Sequence, residues 1–181
     1  MSFITTDYSE NKEQDFKPLP TDNYEMIIQS AQERAAMNGA ESLQLKLVVR
    51  NDLDGVSDNQ KKYHNRVVFM DNWKRKATNQ YDMQGFQYIL DACKIPEGTD
   101  IPTVQAFMTT IEGKAVSVYV TEEDNEYNGK TTKVNRVAPW NIRTTKFPDV
   151  QHKFKDSKTS GSDPFANNSK PIDISDEDLP F

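Results

Sequence analysis

Between residues 24 and 138 the apolar residues recur with a period of two, and that period is broken only once, by a period of 3.6. Tyr24, Met26 and Ile28 alternate with Glu25, Ile27 and Gln29. Leu43, Leu45, Leu47 and Val49 alternate with Gln44, Lys46, Val48 and Arg50. Side chains two apart share a face of a strand, so both segments predict strands with one buried face. Arg66-Val67-Val68-Phe69-Met70 is a short apolar run and predicts a third. The period then changes. Phe86, Ile89, Leu90 and Cys93 fall at i, i+3, i+4 and i+7, and Val104, Phe107, Met108 and Ile111 repeat the stripe between Pro102 and Gly113. These are two helices, with proline near a start and glycine at a stop. Val116, Val118 and Val120 restore the period of two, Asn128-Gly129 supplies a two-residue hairpin turn, and 131–138 returns as a fifth strand.

Three strands, a helical insert and two strands make a mainly β chain. The arrangement predicts a five-stranded OB-fold-like barrel with its helical insert between strands 3 and 4, plugging one barrel end. An α+β sandwich has the same element order. Apolar residues are 35% of the chain, against the roughly 45–50% usual for globular sequences, so part of it lies outside the core. Residues 1–19 are polar and close on Lys17-Pro18-Leu19-Pro20, an extended N-terminal lead-in. From Pro148 onward the apolar residues keep no period, and 148–181 reads as a disordered linker and acidic tail. The folded domain is expected at 20–147.

Several function classes drop out on composition and motif. A single cysteine, Cys93, excludes an internal disulfide and fits a reducing compartment. Its place on the helical stripe makes it a small core residue. No run resembles a signal-peptide core or a membrane span, so the expectation is a cytoplasmic protein with no membrane association. His64 and His152 stand far apart, and no phosphate loop, dinucleotide loop or nucleophile elbow occurs. The chain therefore reads as a non-enzyme with no cofactor and no metal. Glu122–Glu126 resembles a carboxylate cluster of a metal-dependent nuclease, but its place before Asn128-Gly129 reads better as a solvated hairpin end.

Charge distribution carries the functional signal. The net charge is −6, which on average argues against a polyanionic ligand. Residues 61–76, however, hold Lys61, Lys62, Arg66, Lys74, Arg75 and Lys76 against Asp71 alone, a local +5. Residues 127–148 hold Lys130, Lys133, Arg136, Arg143 and Lys146 with no acid, again +5. Tyr63, Phe69 and Trp73 lie in the first window, and Tyr127, Trp140 and Phe147 in the second. Cations follow a phosphate backbone, and flat rings stack on bases that a single strand exposes. Tyr63, Trp73, Tyr127 and Trp140 are the candidate stacking platforms, and Phe69 is assigned to the core. Against this, basic runs are also ordinary solvated faces, and either tryptophan, beside turn-like Asn72 and Pro139, is equally suited to capping the barrel.

The chain ends Asp173-Ile-Ser-Asp176-Glu177-Asp178-Leu179-Pro180-Phe181. An apolar tip preceded by acids suits a pocket rimmed by Arg or Lys on a partner, at about micromolar affinity. This tip resembles the acidic C-terminal tip of bacterial-type single-stranded-DNA-binding proteins. Residues 23–34, 41–55 and 126–130 resemble a family of phage-encoded single-stranded-DNA-binding proteins. The resemblance implies sequence-independent coating of single-stranded DNA during phage replication or recombination, in the host bacterial cytoplasm. It implies recruitment of replication and recombination proteins by Asp176, Glu177, Asp178, Leu179, Pro180 and Phe181. It leaves the oligomeric state, a homo-oligomer included, open. The alternative is a protein–protein adaptor in such a complex without direct DNA binding. If the tip is an acidic recruiter, deleting residues 173–181 leaves single-stranded-DNA affinity unchanged or tighter and abolishes partner capture; weaker DNA binding in a polarisation titration of the truncated protein contradicts that role.

Overall fold

The structure, a computed structural model, describes residues 17–154. Among these, six strands form a mainly antiparallel sheet that is not closed, with short helices packed against it. The strands are β1 (Asp22–Ala35), β2 (Glu41–Val49), β3 (Val67–Trp73), β4 (Ala115–Tyr127), β5 (Lys130–Arg136) and β6 (Ile142–Thr144). Helix α1 (Asp58–Tyr63) lies between β2 and β3, and α2 (Met83–Ala92) and α3 (Val104–Ile111) between β3 and β4. Strand order is β3-β2-β1-β4-β5, with β6 also on β4. This is the order of a five-stranded Greek-key barrel opened between β3 and β5. The expected mainly β, OB-like architecture with its helical insert between strands 3 and 4 is present, with a short sixth strand and a sheet that is not closed.

The period of two is what builds the sheet. Tyr24, Met26 and Ile28 of β1, Leu43, Leu45, Leu47 and Val49 of β2, and Val116, Val118 and Val120 of β4 are all buried in one core. A register shift after Ile28 lets β1 bend between its two partners. The helical stripes close the core from below with Phe86, Ile89, Phe107 and Ile111, and Phe86 stacks on Phe107 at 4.4 Å between ring centres. Cys93 is buried as expected, and burial pushes its thiol up to about 12. Gly113, at φ +77°, turns the chain from α3 into β4 while its N–H donates to the Ile28 carbonyl at 2.7 Å.

Strand β5 stops at Arg136 instead of running to 138, and the chain resumes pairing with β4 only at β6. Pro139 has no N–H for the ladder, so the edge breaks there into a 3-10 turn, Pro139–Asn141. Both β6 and α1 lacked a sequence signal strong enough to predict them.

Two boundaries differ from expectation. Leu19, assigned to the lead-in, is a core residue at 1% exposure. The Asn135 side chain clamps it, with Oδ1 accepting from Leu19 N–H and Nδ2 donating to Leu19 C=O, each at 2.8 Å. Residues 148–154, assigned to the tail, are tied down by Arg50. Arg50 is fully buried, and its Nε donates to Asp52 Oδ1 at 2.9 Å, its Nη1 to the Phe147 carbonyl at 2.7 Å and its Nη2 to the Asp149 carbonyl at 2.8 Å. Asp52 in turn accepts from Gln151 N–H. The remaining tail and the tip 176–181 lie outside the described residues, as do residues 1–16.

The end of this strap is acid-sensitive. His152 Nδ1 accepts from Asn51 N–H at 3.0 Å, so the ring there is neutral. Among the described residues its Nε2 is buried without a hydrogen-bond partner. Burial lowers the ring's pKa below the usual 6.5, with Asp52 opposing and Arg50 assisting. The unfolded chain then binds the proton more readily than the folded one, so this stability is complete well above 6.5 and is lost as pH falls from there through the ring's lower folded-state value. For Asp52, burial acts upward but the hydrogen bonds from Arg50 and Gln151 hold the carboxyl below 3.8, so its stabilisation is fully present at neutral pH and is lost only as pH falls below that value. Wild-type stability should therefore fall as pH drops below about 6.5 more steeply than that of His152→Gln in parallel urea titrations; equal slopes would remove the histidine from the account.

Candidate nucleic-acid interface

Along β3 alternate residues face opposite ways. Val68, Met70 and Asn72 point inward, and Val67, Phe69, Asp71 and Trp73 outward. Phe69 is half exposed, at 50%, and Trp73 is 47% exposed. The assignment of Phe69 to the core is thus corrected. Its neighbours Val68 and Met70 take the inward positions, and a strand cannot bury consecutive residues on the same face.

Facing this row across the open seam is the broken edge of β5. The turn at Pro139 carries Trp140 outward, 61% exposed. Between the two lies a groove of about 430 Å³ lined by Phe69, Asp71 and Trp73 on one side and by Glu123, Arg136 and Trp140 on the other. The turn is held by α2, which packs against it. A Cβ on Gly85 would lie 2.8 Å from Asn72 Nδ2 and 3.2 Å from Pro139 Cγ. Asn72 is itself fixed by donating Nδ2 to the Asp82 carbonyl at 3.3 Å. The two tryptophans thus project from elements packed on the same helix.

The sequence-predicted cations are spread more widely. Arg136 lines the groove and pairs with Glu123 at 2.9 Å. Lys133 bonds Glu122 at 3.0 Å and reaches Asp124 at 3.5 Å, and these contacts raise its pKa. The acids of 122–126 therefore form a ladder with the cations of β5 along the hairpin arm, whose tip carries Tyr127 and Lys130. Tyr127 is 73% exposed there. Lys74 pairs with Glu41, and Arg75 with Asp82 at 3.4 Å, while Lys76 is exposed on the following turn. At the opposite end of β3, Arg66 donates to the Lys17 carbonyl at 2.6 Å. Lys61 and Lys62 end α1, and Tyr63 packs partly into the core with Lys62 Nζ 5.2 Å from its ring centre. Arg143 is exposed on β6. Of the predicted residues, then, Trp73, Trp140 and Arg136 meet in one groove, and the others lie along the arm or at the ends of β3.

Sequence reasoning missed Phe69 and Lys46 on this surface. Lys46 of β2 is opposite Phe69 in the register and shares its outward face. The strict alternation of 43–49 already placed Lys46 away from the core, which was the available signal.

The family profile described as "Protein of unknown function (DUF669)" matches residues 4–164, and the chain belongs to that family. No curated protein matches the sequence significantly. Three chains of solved structures match. Among them is one described as "Yeast RPA bound to ssDNA", at 9% identity and a TM-score of 0.33, covering 79% of this chain and 90% of that one.

Because α2 approaches β3 and the turn so closely at Gly85, Gly85→Ala should displace Pro139 and with it Trp140. The expected cost is about 1–3 kcal/mol in chemical denaturation, accompanied by altered tryptophan emission in the native state; unchanged values for both would show that the turn is not held by this contact.

Proposed function

We propose that the protein binds single-stranded DNA without strict sequence preference, in phage replication or recombination, and is not an enzyme. The observation that carries the reading is the convergence of three exposed rings, Phe69, Trp73 and Trp140, on one groove between two strand edges. Exposed large rings cost solubility, and a groove that presents them singly with cations nearby suits bases stacked in succession. Lys46 and Arg136 border the rings, and Lys74, Arg75 and Lys76 follow Trp73 at the end of β3. These supply phosphate contacts on the outside of a strand whose bases turn inward. Lys61, Lys62, Arg66, Lys130, Lys133 and Arg143 extend the basic surface on either side. The tip 176–181 recruits partner proteins in this reading.

The test is titration with labelled oligo-dT, duplex and RNA across a salt series. Tryptophan emission should be quenched by oligo-dT, and Phe69→Ala, Trp73→Ala and Trp140→Ala should each weaken binding by about 1–3 kcal/mol. With about six phosphates contacted, log K should fall with log salt at a slope of about −4. An adaptor that recognises peptide would show no quenching and no change in polarisation, and that outcome overturns the proposal.

A further inference from the structure

We propose that Asp71 makes the groove a base-reading site that favours guanine; this rests on reading the groove as a binder of single-stranded nucleic acid. Asp71 lies between Phe69 and Trp73 on the outward face of β3 and lines the groove with both. Same-face neighbours on a strand are about 7 Å apart. A base stacked on either ring therefore brings its edge to this carboxylate.

An acid is the wrong group for a phosphate, since like charges repel. Glu123, also in the lining, is paired with Arg136 at 2.9 Å, so Asp71 is the acid that turns this stretch of the groove from the backbone toward ring faces and donor edges. The Asp71 carboxylate is also held in place. Ser42 Oγ donates to its Oδ1 at 2.9 Å, and Gln44 Nε2 reaches Oδ1 at 3.3 Å and Oδ2 at 3.4 Å. Gln44 is fixed in turn, its Oε1 accepting from Gln32 Nε2 at 3.3 Å. A carboxylate has about four acceptor positions. One shared amide donor and one hydroxyl leave capacity, chiefly on Oδ2.

The edges of the bases then differ. Guanine presents two adjacent donors, N1–H and the 2-amino group. Adenine and cytosine each present one amino group beside a ring nitrogen acceptor, which a carboxylate repels. Thymine offers one N–H between two carbonyls. Guanine is the base that matches an anchored carboxylate, and the preference is superimposed on general binding through the rings.

The experiment uses the full chain and labelled oligonucleotides of alternating thymine with guanine, hypoxanthine, adenine or cytosine, in lithium salt to suppress quadruplexes. Hypoxanthine lacks only the 2-amino group. The guanine repeat should bind about tenfold more tightly than the hypoxanthine or adenine repeat. Asp71→Asn should bring the repeats to within about twofold of one another while binding oligo-dT at least as tightly, because a charge opposed to phosphate is gone. Guanine methylated at N1 removes a donor without touching the protein, and should bind the wild type no better than adenine. Equal wild-type affinity for guanine, hypoxanthine and N1-methylguanine repeats overturns the inference and leaves single-strand binding standing. Absence of binding to every oligonucleotide, oligo-dT included, overturns both.

Discussion

The seam between β3 and β5 is the constraint on which the rest of this structure depends. Strand order would allow these two edges to pair and complete a barrel, yet they do not. Unpaired strand edges invite aggregation unless covered, charged or interrupted. Here each device is used. Leu19 and the Asn135 clamp fill the seam beside β5, cations line β5, and Pro139 breaks the edge beyond it. What is left open is the short stretch between Phe69 and Trp73 on one side and Arg136 and Trp140 on the other. The groove is therefore a consequence of how the edges are protected. Its rings are exposed because closing the ladder would have buried or displaced them.

The same edges explain how an acidic chain presents a basic surface. Lys133 and Arg136 on β5 are balanced by acids on β4, and Lys74 and Arg75 by Glu41 and Asp82. Such exposed pairs contribute about 0–1 kcal/mol each. They restrain the side chains without committing them, so on the proposed reading a phosphate backbone would take over the cation at small cost. An acidic net charge and a polyanionic ligand are compatible when the acids are exchangeable partners.

How far this was legible depended on period and range. Leu43–Val49 and Val116–Val120 alternate cleanly, and both lie where their pattern put them. The stripes ending at Cys93 and Ile111 did the same for α2 and α3. Phe69 was misassigned because Val67–Met70 is apolar throughout, and a continuous run hides which face is inward. Leu19, Arg50 and 148–154 carry no local signal at all. Their order comes from hydrogen bonds spanning from 97 to 116 residues, which no window along the chain contains. Helix α1 buries only Gln60, so its one sequence cue was Ser57, whose hydroxyl caps Gln60 N–H. Trp73 and Trp140 were singled out by coincidence of ring and charge, but their meeting in one groove depended on the break at Pro139.

The buried Arg50 finally limits how much of the outward face of β2–β3 is left open. An ionised guanidinium at 0% exposure is tolerable only when its donors are satisfied. Satisfying it with the Phe147 and Asp149 carbonyls draws the chain across the end of the sheet. His152 and Phe154 then come to lie with Lys46, Val48 and Val67 around a small hollow. The outward face of β2–β3 is thereby divided, with one end occupied by the strap and the other left to Phe69 and Trp73. Four residues of strand span about 13 Å, room for very few bases. A single-strand site on a barrel of this kind usually covers about 4–16 nucleotides. On the proposed reading, the rest of the contact would come from elements that project past the groove, such as the β4–β5 arm with Tyr127 and Lys130 at its tip.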